Sequence, residues 1–299
     1  MESIMSDERL VKEHLTNRSA LHKLGPAMER RTIARELTIE GTGLHGGGKT
    51  TLLLRPGSDG IVFISSGRRI PATPTSVVET RLNTTVGDGT AQVSTIEHLM
   101  SALYGLMITD CEIEIKGNEV PAMDGSALPF VRFLEDAGTR PIGRACKPIR
   151  ISSVFRCENG DAWIEARPGA FSLTYEIDFP DPAIGFQRYS YTGNDYVVEI
   201  APARTFGRIK DVEMMRSAGL ARGGGLHNAV VVDHDSIINP EGLRFPDECV
   251  RHKILDALGD LWMLGAPLVA RISASKARHA LHIDLARKIF ETIQHNAQE

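Results

Sequence analysis

The sequence predicts an α+β protein in two halves, each a run of strands followed by helices. Two patterns carry this. Apolar residues alternate with polar ones in short stretches, as in Leu37-Thr38-Ile39, Cys111–Ile115, Ala162–Ala166 and Phe171–Phe179, the two-residue period of half-buried strands. Four longer stretches instead repeat apolar residues at helical spacing: Ser94–Gly105, Ala127–Ala137, Asp247–Trp262 and Leu281–His295. A third observation sets the scale. The 299 residues, 42% hydrophobic and 24% charged, suffice for one large or two smaller globular domains.

Residues 1–31 are mixed charged and polar with little periodicity. They read as an N-terminal extension with a frayed helix near Leu10–Leu15. A first domain spans 32–145 and a second 146–299, divided at Thr139–Pro148, a polar stretch carrying Pro141 and Pro148. Leu37 and Ile39 belong to a strand. Gly41–Thr50 follows and holds a literal Walker A spacing, with Val230–Asp233 imitating a Walker B strand. A phosphate loop must run directly into a helix, because that N-terminus binds the phosphates. Here Thr51–Leu54 is strand-like and Pro56-Gly57 stops it, so the glycines join two strands. A P-loop nucleotide-binding protein over Gly43–Thr50 is the alternative reading. His45, on this turn, is either displayed or solvated.

Gly57–Asp88 is rich in turn residues and predicts short antiparallel strands. Ser94 and Glu97 have the spacing of a capping box opening a helix, and that role is the plain alternative to chemistry at Glu97. His98 has small neighbours, Ser101, Ala102 and Gly105, which leave room beside it. A helix from Ala127 ends at Gly138. In the second half, strands over Ile149–Arg156, Ala162–Ala166 and Phe171–Phe179 are followed by strand-like alternation over Arg188–Ile200. A short helix spans Lys210–Ser217, a glycine-rich loop Gly219–Gly225 and a buried strand Asn228–Val232. Leu268–Ser273 is a strand before the last helix. Sequence identity between the halves reveals no repeat.

Composition excludes several classes. The net charge of −4, 34 basic against 38 acidic residues, gives no pull toward nucleic acid. Cys111, Cys146, Cys157 and Cys249 form no Cys-x-x-Cys pair, and read as buried thiols in a reducing cytosol. No apolar run has the length of a membrane span or the form of a signal peptide.

The chemistry centres on Phe245–Trp262. Asp247 is a good N-cap, and Gly265 with Pro267 stops the helix. His252, Asp256 and Asp260 fall at i, i+4 and i+8, on one face. An imidazole and a carboxylate one turn apart can reach a single cation, although that spacing alone more often marks a solvated, charge-balanced face. With His98 they make two neutral imidazoles and one carboxylate, a zinc set whose fourth position stays open for water. Such a metal acidifies water and polarises a carbonyl. Glu97 adjoins a ligand and is the candidate general base. His279, positioned by Asp260, is the candidate acid or oxyanion partner. Thr205 offers a hydroxyl donor.

These stretches carry a resemblance. Gly41-Thr42-Gly43-Leu44-His45, Ser94–Leu99, Met123–Ser126, Ala203–Gly207, Gly242–Phe245, Val250–Lys253, Leu255–Leu261 and His279-Ala280-Leu281 occur in the order found in the UDP-3-O-acyl-N-acetylglucosamine deacetylases. Over about residues 32–295 the chain resembles that family, the zinc amidases of lipid A synthesis. The resemblance implies two similar α/β domains, each a mainly antiparallel sheet with a helix pair, the helices sandwiched between the sheets. It implies His98, His252 and Asp256 as ligands of Zn2+ (Fe2+ being the other candidate), Glu97 as base, His279 with Asp260 as the cationic partner, and Thr205 on the oxyanion. Phe206 and a β-α-β insert over about 204–232 would hold the acyl chain. Lys253 and Lys276 would lie toward the diphosphate, with His45 also toward substrate. The implied partner is a UDP-linked acylated amino sugar in the cytoplasm of a Gram-negative-type bacterium. The acyl chain would bring the enzyme transiently near a membrane surface. Neither nucleic acid nor an obligate protein partner is expected. Arg208, Arg278 and Asn83 stand where the family often has an aromatic, a glycine and, in some members, a cysteine.

Overall fold

The alternating stretches assemble two main sheets of the same design. The computed structural model describes residues 28–217 and 219–296. In the first sheet the order is Leu37–Thr42, Lys49–Pro56, Cys111–Lys116, Ile61–Ser65, Arg68–Pro71. In the second it is Phe155–Asn159, Ala162–Pro168, Leu268–Ser275, Ser172–Asp178, Phe186–Tyr191, with Ile149–Arg150 also pairing with Leu268–Ser275. Each sheet places its last strand in sequence at the centre. That strand runs antiparallel to the second strand of a hairpin and parallel to the third strand. Inward residues line up across the registers, as in the row Ile39, Leu52 and Ile115, all buried, which fixes the face each strand presents.

Helix α1 (Glu97–Gly105) and helix α2 (Leu128–Ala137) flank the central strand of the first sheet in sequence. Helix α3 (Ile209–Ser217) lies in the insert. Helix α4 (Glu248–Trp262) and helix α5 (His279–Asn296) flank the central strand of the second sheet in the same way. The halves therefore repeat in topology although their sequences have diverged. α2 packs on the first sheet, α4 and α5 on the second, and α1 packs on both α2 and α4. These four helices form the layer between the sheets, as expected. α1 and α4 approach closely at Gly259, where an added Cβ would stand 2.1 Å from the Glu97 carbonyl oxygen. Among the described residues no helix is long and apolar enough to cross a membrane, and all four cysteines are buried and unbridged.

Several local expectations change. The polar stretch read as a boundary is a strand, Thr139–Cys146, paired antiparallel with Met28–Ile33, so residues 28–31 of the supposed extension are ordered in a sheet. Ile33 is fully buried, and Arg30 binds both oxygens of Asp110 at 2.8 and 2.7 Å, anchoring a segment whose sequence has little periodicity. The helix expected at Leu10–Leu15 lies outside the described residues. The capping box does not form. Ile96 is the N-cap of α1, and the Ser94 hydroxyl donates to the Asn118 carbonyl. Asp247 caps α4 without a side-chain cap bond and instead accepts from Arg251 Nε at 2.6 Å. Arg188–Ile200 divides into the end of a strand and a single helical turn, Tyr196–Glu199. The insert is β-α-β: Phe206–Arg208, α3, then Val230–Asp233 in parallel pairing with the first strand.

Candidate active site

The Walker-like glycines make a strand turn. Leu37–Thr42 and Lys49–Pro56 pair across it with Thr42 opposite Lys49. Its amides hold a carboxylate of the chain itself: His45 N donates to Glu119 Oε1 and Gly46 N to Oε2, each at 2.8 Å. A nucleotide phosphate would find both donors taken and no helix N-terminus beyond them.

Because α1 and α4 touch, the functional residues of the two halves meet. His252 Nε2 lies 3.3 Å from Asp256 Oδ1, and His98 Nε2 lies 3.7 Å from the same oxygen. The two imidazole rings are 5.0 Å apart, edge to face. All three side chains are buried, and Asp256 Oδ1 has no hydrogen-bond partner among the described residues. An orphaned carboxylate oxygen facing two imidazole nitrogens is costly unless something positive joins them. Donors bound at about 2.0–2.2 Å around one tetrahedral ion lie roughly 3.3–3.6 Å apart, so the spacing suits a shared cation. The protonation states suit it too. Burial, reinforced by His252, pushes His98 down to about 3, and burial also lowers His252. Although burial opposes it, the facing His252 and Lys253 hold Asp256 well below the usual carboxylate range. His252 Nδ1 lies 3.1 Å from the Ala203 carbonyl. Nδ1–H therefore donates there, and Nε2 keeps its lone pair for a metal.

Glu97 and His279 lie beside this group. Burial pushes the Glu97 carboxyl up to about 7 against the pull of His279. Its Oε2 accepts from Thr84 N at 3.0 Å, which ties the carboxylate to the segment before the helix. His279 is buried, which alone would strip its proton. The Asp260 carboxylate, 2.9 Å from Nδ1, overrides that and raises it to about 9. One carboxyl and one imidazole are thus poised on opposite sides of pH 8, the arrangement that acid–base chemistry needs.

The remaining expected residues divide. Thr205 is pinned through its backbone, donating to Gly125 O and accepting from Val230 N, each at 2.8 Å. The Phe206 ring packs 6.3 Å from the His252 ring and 5.4 Å from Phe179, with Lys253 Nζ 5.7 Å above it. Lys253 also binds Asp256 Oδ2 at 2.8 Å. His45 feels the charge of His279, and its Nδ1 is buried with no hydrogen-bond partner among the described residues. Lys276 engages Asp161 at 2.9 Å and Asp178 at 3.3 Å rather than the cluster. Arg208 is held by Asp181 at 3.2 Å and Asp211 at 2.5 Å, its guanidinium 5.9 Å over Phe179.

Sequence reasoning missed the supports. Fully buried Glu248 accepts from Arg204 N and Nε, at 3.0 and 2.8 Å, and from Arg204 Nη2 at 3.1 Å. This ties Ala203–Phe206 to the first turn of α4. Thr84 Oγ1 donates to Asp260 Oδ1 at 2.6 Å. His282 Nδ1 lies 2.8 Å from Asp260 Oδ2. His282 had a signal, its place three residues after His279 on one helix face, whereas nothing local marks Thr84.

Two open imidazoles and an orphaned carboxylate, flanked by a carboxyl and an imidazole with separated proton affinities, define a hydrolase-type site between two α/β repeats. The comparisons agree. A family model described as LpxC, UDP-3-O-acyl N-acetylglycosamine deacetylase, matches residues 30–291. The UDP-3-O-acyl-N-acetylglucosamine deacetylase of Acidithiobacillus ferrooxidans is 44% identical over 273 residues, covering 88% of this chain and 90% of the relative. The proteins of that name from Myxococcus xanthus and Haemophilus influenzae are each 43% identical, covering 87% and 88% of this chain and 86% and 90% of theirs. The chain belongs to the UDP-3-O-acyl N-acetylglycosamine deacetylase family.

Proposed function

We propose that this chain hydrolyses the N-acetyl amide of a UDP-3-O-acyl-N-acetylglucosamine, giving acetate and the free amine, the committed step of lipid A biosynthesis. The observation that carries the reading is the unpartnered Asp256 Oδ1 facing two imidazole nitrogens, with Glu97 and His279 alongside. His98, His252 and Asp256 would hold the metal, Zn2+ before Fe2+ on this nitrogen-rich set. When bound, the ion supplies Lewis acidity, polarising the amide carbonyl and acidifying nearby water.

The chain's own groups do the rest. Glu97, once ionised, takes a proton from the attacking water. The His279 imidazolium stabilises charge developing on the carbonyl oxygen and then protonates the leaving nitrogen, while Asp260 keeps it charged and oriented. The Thr205 hydroxyl donates to the same oxygen. Phe206 and the insert over about 204–232 take the acyl chain. Lys253, Lys276 and His45 serve the sugar nucleotide, Lys276 by exchanging Asp161 and Asp178 for phosphate. The first domain (32–145) contributes Glu97 and His98, and the second (146–299) the other groups. The enzyme works in the cytoplasm of a Gram-negative-type bacterium.

The test is acetate release from UDP-3-O-acyl-N-acetylglucosamine by the purified chain. Release should stop on chelation, return with zinc, and fall by about 10²-fold or more in Glu97→Ala with metal retained. Full turnover in Glu97→Ala would contradict the reading.

A further inference from the structure

Among the buried titratable side chains that the proposed chemistry leaves unused, His282 lies nearest to its machinery through Asp260. His282 is fully buried in α5, one turn after His279. Its Nδ1 lies 2.8 Å from Asp260 Oδ2, and His279 Nδ1 lies 2.9 Å from that same oxygen. The other carboxylate oxygen accepts from Thr84. An ionised carboxylate only accepts, so both imidazoles donate to it from Nδ1. For His279 this leaves Nε2 as the nitrogen that can face a substrate. On its far side His282 meets Tyr175, with Nε2 2.8 Å from the phenol oxygen. Tyr175 is itself buried in the strand Ser172–Asp178 and lies 2.8 Å from the Ala277 carbonyl. Asp260 is thus gripped by three donors from two segments, and His282 is itself held from behind by Tyr175.

We propose that His282 is a positioning residue for the deacetylation: by donating from Nδ1 to the oxygen that His279 shares, it locks the Asp260 carboxylate and so fixes the orientation and proton affinity of His279. This rests on the role given to His279 above. The alternative is that His282 and Tyr175 only fill the core.

The sign of the effect follows from the groups present. His282 faces Asp260 and Asp256 from α4, Tyr175 from its strand, and His279 on its own helix. His279 faces Asp260, Asp256 and Glu97, with His45, His98 and His252 across from it. The His282 N–H points the positive end of its dipole at the shared oxygen, beside the His279 cation. Without that dipole, Asp260 serves His279 alone and holds its proton more tightly. The basic limb of activity then moves to higher pH while the carboxylate loses its fixed direction.

Two substitutions of similar size separate the readings. In His282→Asn the amide nitrogen stands near Nδ1 and can still donate to Asp260. In His282→Gln it stands near Nε2 and serves Tyr175 instead. Both are measured by kcat/KM against pH, kcat and KM separately, metal content and Tm. The expected result is that Asn keeps kcat within about threefold, whereas Gln loses roughly 10–100-fold in kcat at little change in KM, with its basic limb displaced upward. Both variants should keep their metal. The proposal is overturned if Gln matches or exceeds Asn, or if neither differs from the native protein in kcat and pH profile. His279→Gln is the control: native turnover there would strike the role of His279 itself, whatever the His282 variants do.

Discussion

Gly259→Ala separates two effects that point in opposite directions. Alanine is favoured over glycine inside a helix by about 1 kcal/mol, so propensity alone makes this variant more stable. The packing says otherwise. The new Cβ would stand 2.1 Å from the Glu97 carbonyl oxygen, 2.9 Å from its carbon and 3.1 Å from Ser101 N. These are backbone atoms of α1, which cannot yield one at a time. A comfortable contact is at least about 3.0–3.5 Å, so α1 and α4 must part by roughly 1 Å. Overpacking of this kind costs about 1–3 kcal/mol. Since α1 carries Glu97 and His98 and α4 carries His252, Asp256 and Asp260, the same shift spreads the site, and a displacement of about 1 Å can cost around 10²-fold in rate. Urea unfolding should show a net loss of stability, and acetate release a fall in kcat. A variant at least as stable as the native chain, with full turnover, would refute the claim that this close approach sets the site.

Activity should follow a bell-shaped pH profile. Glu97, raised to about 7, must lose its proton and His279, raised to about 9, must keep its own, so kcat/KM rises through the first value and falls through the second. An unchanged basic limb in His279→Gln with metal retained would move the acid role elsewhere. Arg204→Met leaves Glu248 buried and uncompensated, an expected loss of about 3–5 kcal/mol by denaturant unfolding. A loss under about 1 kcal/mol would show that the pair is not what ties Ala203–Phe206 to α4. Arg208→Ala frees the face of Phe179, and each added methylene of acyl chain buried there should contribute about 0.8 kcal/mol. Chain-length preference should therefore shift toward longer substrates, and identical kinetics across chain lengths in both proteins would remove Arg208 from the acyl groove.

Much of this was legible because the signals are local. The alternation in Cys111–Ile115 and Phe171–Phe179 gave strands, and the i, i+4, i+8 series His252, Asp256, Asp260 gave one polar face on an otherwise apolar helix. What failed was local pattern overridden by distant partners. Ser94 and Glu97 have capping-box spacing, yet the Glu97 carboxylate accepts from Thr84 and faces the site. Thr139–Cys146, read as a polar boundary, gave no sign of being a strand because its partner strand, Met28–Ile33, is over a hundred residues away and equally polar. The topological repeat was invisible because strand order does not require identity. Glu119, Arg204 and Thr84 act through contacts made only after folding, and their spacing in the chain announces nothing.

The most direct measurement is the metal content of the purified, dialysed chain, determined by elemental mass spectrometry beside acetate release, in the native protein and in His252→Ala and Asp256→Ala. The expected result is one zinc or iron ion per native chain, with both variants folded, depleted of metal and inactive. A native chain that releases acetate with no such metal bound, or a variant that keeps both its ion and its turnover, would contradict the assignment of His98, His252 and Asp256.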